Sequence, residues 1–226
     1  MKNKWIKHII MVLITISPLL YMLIVWDTIP DEVNLRTSYG FTEGRDAVSL
    51  ESKNGLWGAI GLLVVVILVV YGLAQNIKLF DPKRTDKPFS NVFNKISVGM
   101  VILLTAMNFV ILLDNIGRIE NAPKLMMPIV GVLFAFLGNT MHNIKPNYYI
   151  GLRLPWTLNS DDNWRKTHQL AGKLWFAGGL LFAISYIIKP ELWSDRTFFL
   201  LIVVLVLVPS AYSFMLFRKE KSQTSN

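Results

Sequence analysis

Six apolar blocks, each about twenty residues long and nearly free of charge in its centre, divide this chain. A hydrocarbon layer about 30 Å thick is crossed by roughly 20 residues of helix. Inside it every backbone N–H and C=O must be satisfied within the protein, which leaves helices and closed barrels as the spanning structures. Blocks of this length predict helices, over about residues 5–26, 56–77, 93–113, 125–141, 170–188 and 197–217. The expected fold class is therefore an all-α polytopic integral membrane protein with six transmembrane helices. The block at 62–70 has no polar side chain and is expected to face lipid over much of its circumference.

The start of the chain has a basic stretch and then an apolar run, as a signal peptide does. The run continues to Trp26 and no small-x-small cleavage site follows, so an uncleaved first span is expected, with Ser17-Pro18 tolerated as a kink. The chain has no cysteine, which excludes disulfides, thiolate metal sites and thiol nucleophiles. A net charge of +8 raises the question of nucleic acid. The basic residues instead sit at the edges of the apolar blocks, so no direct nucleic-acid binding is expected. With the N-terminus inside, 16 of the 23 Lys and Arg residues and only 5 of the 15 Asp and Glu residues fall on the inner side. The positive-inside rule then predicts that both termini are cytoplasmic.

Between the blocks, residues 27–54 are polar and acidic, with room for short strands such as 33–36 and turns at Gly40 and Gly44. Ile29, Val33, Leu35, Tyr39 and Phe41 give this segment something to pack, so an ordered extracellular cap is expected. Lys78, Lys83, Arg84 and Lys87 form a basic loop broken by Pro82 and Pro88. Within the spans, Thr105 and Asn108 should face protein, and Gly131 and Gly138 should allow close helix approach. Asn159-Ser160-Asp161-Asp162 reads as a helix start, a capping residue followed by acids in the first turn.

Candidate chemistry concentrates in residues 139–173, rich in Asn, Pro, Tyr, Trp, Arg and His. Pro146, Gly151 and Pro155 predict a defined, non-helical path at the membrane surface, with Trp156 and Trp164 as headgroup anchors. Arg153 offers a planar fork for a phosphate or a carboxylate, Asp161 and Asp162 being nearest in sequence. His142 and His168 lack metal-ligand spacing. No Ser-His-Asp order or phosphate-cradling glycine loop is present. No span has an ionisable residue at its centre, which disfavours a proton-coupled pump. Recognition and simple anchoring at the interface would use the same residues.

The stretch Lys145-Pro146-Asn147-Tyr148-Tyr149-Ile150-Gly151-Leu152-Arg153-Leu154-Pro155-Trp156-Thr157-Leu158 resembles the signature of the SdpI family of bacterial membrane proteins, as does Trp164-Arg165-Lys166-Thr167-His168-Gln169-Leu170-Ala171-Gly172-Lys173. The resemblance implies a four-span region over residues 90–226. Residues 1–89 resemble the two-span domain of unknown function that often precedes it, with Arg36 about where that domain has a histidine. It implies a multi-pass protein of the bacterial plasma membrane that acts in immunity, not as an enzyme, and uses no cofactor or metal. The implied role is protection from a secreted toxic peptide, with sensing of that peptide and sequestration of a cytoplasmic transcriptional repressor. Implied partners are membrane lipids, the toxic peptide and the repressor. The implied recognition residues are Asn147, Tyr149, Gly151, Arg153, Pro155, Trp156, Thr157, Trp164, Thr167, His168, Gly172 and Lys173. Two other readings stay open. One is a membrane enzyme for a lipid or isoprenoid head group, built on Arg153, His168, Asp161 and Asp162. The other is a small-solute permease with a polar path between Thr105, Asn108 and Asn139.

Overall fold

The computed structural model describes residues 2–36, 48–76, 87–142, 144–147 and 150–224. The turns expected at Gly40 and Gly44 and the basic loop from Lys78 to Arg84 lie outside the described residues. In chain order the elements are α1 (Lys2–Val25), β1 (Glu32–Arg36), β2 (Val48–Ser52), α2 (Gly55–Gln75), α3 (Lys87–Asn115), α4 (Ala122–Met141), α5 (Pro155–Asn159), α6 (Asp161–Ile188) and α7 (Asp195–Thr224). All the α-helices but α5 are long and apolar enough to cross a membrane, giving the six helices the apolar blocks predict.

Proline falls inside three of these helices, at Pro18, Pro128 and Pro209. Each removes one N–H and frees the carbonyl four residues earlier, which hydrocarbon cannot solvate. In α1 the freed Ile14 carbonyl accepts from the Ser17 hydroxyl at 2.6 Å. In α7 the freed Leu205 carbonyl accepts from the Trp175 indole N–H at 2.9 Å. Side chains thus replace two of the hydrogen bonds that proline deletes.

The chain forms two compact units. The first comprises residues 1–76 and 97–129. Along α2, Leu56, Ile60, Val64, Ile67 and Tyr71 are buried at helical spacing, one stripe of the cylinder. Leu62, Val65, Val66 and Val69 are exposed, and in a bilayer that face meets lipid. The facing stripe of α3 buries Val101 and Leu112 together with Thr105, Asn108 and Asn115. Thr105 and Asn108 therefore point into protein, and Asn108 Nδ2 donates to the Ile60 carbonyl at 3.4 Å.

The described parts of the segment between α1 and α2 pack onto this unit. A 3-10 turn at Trp26–Thr28 leads into β1, which pairs antiparallel with β2 from Glu32 opposite Ser52 to Arg36 opposite Val48. Val33 and Ile29 drop into a cluster with Met22, Leu56, Ile60 and Leu112. Lys53 pairs with Asp31 at 2.9 Å and lies 5.3 Å from the Trp26 ring, which packs on Trp57. The described part of the expected cap is thus anchored by apolar burial; Tyr39 and Phe41 lie outside the described residues.

The second unit comprises residues 77–96 and 130–226. Here α6 and α7 form a hairpin through a 3-10 turn at Pro190–Leu192. Against α6, α4 makes a glycine-lined contact. A Cβ added at Gly131 would sit 2.7 Å from the Gly179 carbonyl oxygen, and one at Gly172 would sit 2.8 Å from that of Gly138. Backbones this close gain dispersion and leave no room for a methyl group.

Candidate functional site

The signature residues gather at one end of the second unit, where the loop after α4, the short helix α5 and the first turns of α6 meet. Ser160 opens α6 as its cap, its Oγ accepting from Asn163 N at 3.2 Å, and Asp161 and Asp162 occupy the first turn. The next turns bury Asn163, Trp164, Thr167 and His168, each at most 1% exposed. Spacing of one, three and four residues places all four on one face of the helix.

Each buried polar group on this face has a partner, as burial in a low-dielectric interior demands. Asn163 Oδ1 accepts from Thr167 Oγ1 at 3.0 Å and from Ser213 Oγ at 2.6 Å, while its Nδ2 donates to the Ser213 carbonyl at 3.0 Å. Ser213 lies on α7, so a single amide ties two helices. Trp164 donates its indole N–H to the Ile144 carbonyl at 2.9 Å, tying α6 to the loop after α4. Its ring stacks on His168, centroids 4.0 Å apart and planes 18° apart.

His168 holds the loop itself. The backbone N–H of Leu152 donates to Nε2 at 3.0 Å, and Nδ1 lies 2.8 Å from the Trp164 carbonyl. An N–H facing Nε2 requires a lone pair there, and a carbonyl facing Nδ1 requires a proton there. The pair of contacts therefore assigns the neutral Nδ1–H tautomer. Gly151, the preceding residue, has φ +117°, and a Cβ there would fall on His168 Nε2. Only glycine meets both conditions.

Two further residues stiffen the same stretch. Asn147 is buried; its Oδ1 accepts from Ile150 N at 2.8 Å and its Nδ2 donates to the carbonyls of Lys145 at 3.0 Å and Ile150 at 3.1 Å. Ile150 packs on Phe93 of α3. Thr157 Oγ1 accepts from Leu154 N at 3.0 Å, and its one hydrogen lies within reach of the Leu152 and Leu154 carbonyls, both at 2.9 Å. Pro155 opens α5, where its missing N–H has no helical partner to lose. The path expected to be wholly non-helical thus includes one short helix.

The remaining signature residues are placed differently. Arg153 and Lys173 are exposed. Asp162, with Asp161 one of the two carboxylates nearest Arg153 in sequence, pairs instead with Arg165 at 2.6 Å and Lys166 at 2.5 Å. An acid in the first turn finds the basic residues three and four positions on before it finds a loop. Trp156 packs on Phe214 and Phe217 of α7, with ring centroids at 5.2 Å and 6.1 Å. Gly172 is buried against Gly138. Tyr149 lies outside the described residues.

The proposed anchors and ligands divide accordingly. Trp164 is buried completely and serves as a tertiary tie, not as a headgroup anchor. Both ring nitrogens of His168 meet backbone atoms, which leaves neither for a metal or a substrate proton. The head-group enzyme reading needed His168 and an aspartate within hydrogen-bond reach, and Asp162 is engaged by its own helix. Of the permease triplet, Thr105 and Asn108 are buried in the first unit, whereas Asn139 is an exposed residue of the second. Sequence reading missed Ser213 and Ile144 as partners, since neither lies near Asn163 or Trp164 in the chain. It also missed the contact of His8 Nδ1 with the Tyr71 hydroxyl at 2.7 Å in the first unit.

Comparison with known proteins bears on this end of the molecule first. Residues 143–215 match the model of the SdpI/YfhL protein family. The chain is also 27% identical over 202 residues to "Immunity protein SdpI" of Bacillus subtilis (strain 168), an alignment that covers 89% of each chain. No solved structure matches. The chain is thus homologous, over most of its length, to a membrane immunity protein of that family. Its six membrane-crossing helices and this homology make it a multi-pass protein of the plasma membrane.

Proposed function

We propose that this chain is a membrane immunity protein that protects the cell making it from a secreted toxic peptide. One observation carries the reading: similarity to an immunity protein runs through most of both chains and includes the hydrogen-bonded segment described above. In this reading the buried residues Asn147, Thr157, Trp164, Thr167, His168 and Gly172 hold a platform. The exposed residues Arg153 and Lys173, with the half-buried Trp156, meet the partner. Both termini face the cytoplasm, as the distribution of Lys and Arg favours. The platform then lies on the cytoplasmic side, where a peptide-loaded form holds a transcriptional repressor at the membrane. Residues 1–89 form the two-span region that precedes the four-span region, residues 90–226.

Toxin challenge tests the proposal. A sensitive host carrying the chain should survive a secreted toxic peptide that kills the same host carrying an empty vector. Equal killing, with the protein demonstrably in the membrane, would contradict it.

A further inference from the structure

We infer that Arg153, Trp156 and Arg218 form a binding site for the phosphate group of an anionic phospholipid. The inference goes beyond the immunity reading and stands without it. It starts from a hydrogen-bond donor without an acceptor. The indole N–H of Trp156 is buried and has no partner among the described residues, whereas Trp164, Trp175 and Trp193 all donate theirs. Protein interiors rarely leave such a donor unpaired, and an orphan in a native fold points to an acceptor beyond the described residues.

Two cations lie near Trp156, Arg153 three positions before it in the chain and Arg218 next in the chain to Phe217, on whose ring it stacks. Arg153 is exposed and makes no hydrogen bond or ion pair among the described residues, in contrast to Arg165 and Lys166, which share Asp162. Its backbone is nonetheless fixed on both sides. The N–H of Leu152 is held by His168, and the N–H of Leu154 by Thr157. A guanidinium on a pinned backbone, with its fork unoccupied, is arranged for an oxyanion and loses less freedom on binding than one on a free loop. The chain between Arg153 and Trp156 spans at most about 11 Å, within reach of a long side chain and one phosphodiester. Trp156 stacks with Phe217, and the next residue is Arg218, also exposed and without a partner among the described residues. Lys219 follows, exposed as well.

A membrane lipid is the source of phosphate that fits this place. Residues 214–217 belong to the membrane-crossing helix α7, and Phe214 and Leu158 beside the site are exposed apolar side chains suited to acyl chains. Three positive side chains favour a lipid of net negative charge over a zwitterionic one.

The test uses the full chain in detergent micelles and native mass spectrometry. Dioleoyl phosphatidylglycerol and dioleoyl phosphatidylcholine are the lipid probes, and excess inorganic phosphate is the competitor. The wild type should retain phosphatidylglycerol preferentially, unmoved by phosphate. Arg153→Gln and Trp156→Phe should each weaken that retention about tenfold. The phenylalanine keeps the ring contacts with Phe214 and Phe217, and the Arg153 side chain makes no hydrogen bond or ion pair among the described residues, so thermal melting should be unchanged in both. Undiminished retention in both variants would overturn the proposal. Displacement of the lipid by inorganic phosphate would overturn it too, since the site would then be one for soluble phosphate.

Discussion

Leu152 and His168 lie sixteen residues apart in the chain, and the backbone N–H of the first donates to Nε2 of the second at 3.0 Å. This one bond closes the signature loop onto α6. It requires an unprotonated Nε2, and it requires a residue without a Cβ at position 151.

That geometry makes Gly151→Ala a sharp test of the loop. The substitution meets a backbone angle rarely adopted by L residues and a methyl group directed at the imidazole. A loss of about 2–4 kcal/mol is expected. Thermal unfolding in detergent should show a clearly lower midpoint, and a midpoint equal to wild type would contradict the closed loop.

The tautomer is directly observable. Nitrogen NMR of His168 in the folded protein should show a protonated Nδ1 and a bare Nε2. Replacing the ring in His168→Phe would leave the Leu152 N–H without its acceptor, at a cost of about 1–3 kcal/mol. A protonated Nε2 would mean that the loop is not tied as described.

Asn163 and Ser213 should be energetically coupled. A double-mutant cycle of Asn163→Ala and Ser213→Ala is expected to give an interaction energy of about 0.5–3 kcal/mol, because the two share a buried network. Additive effects would show that α6 and α7 are not joined through this amide.

These relationships also mark how far the sequence carries. The six spans are legible because hydrophobic length is a property of contiguous residues. So is the start of α6, where Ser160 and the two aspartates act on the turn they begin. The strand at 33–36 is legible from its alternation, though its partner at 48–52 is not. Tertiary partners are hidden. Nothing near Asn163 announces Ser213, and nothing near Trp164 announces the Ile144 carbonyl. Arg153 and Asp162 look like a pair in the chain, yet the helix gives Asp162 to Arg165 and Lys166. Of the signature, the motif was visible, but its division into a buried frame and an exposed edge depends on which way α6 faces.

Topology is tested by reporter fusion. A reporter placed after Lys221 should behave as cytoplasmic and one inserted between Phe41 and Arg45 as external. An external C-terminal reporter would reverse the proposed orientation and move the signature to the outer face.

Survival of a toxin-sensitive host expressing Arg153→Lys at wild-type membrane abundance tests the central claim most directly. Lysine keeps the charge but loses the planar fork, and no hydrogen bond or ion pair among the described residues depends on this side chain. The account predicts a marked loss of protection against the toxic peptide while abundance and melting stay unchanged. Full protection by Arg153→Lys would contradict it and leave the signature as a structural anchor at the membrane surface.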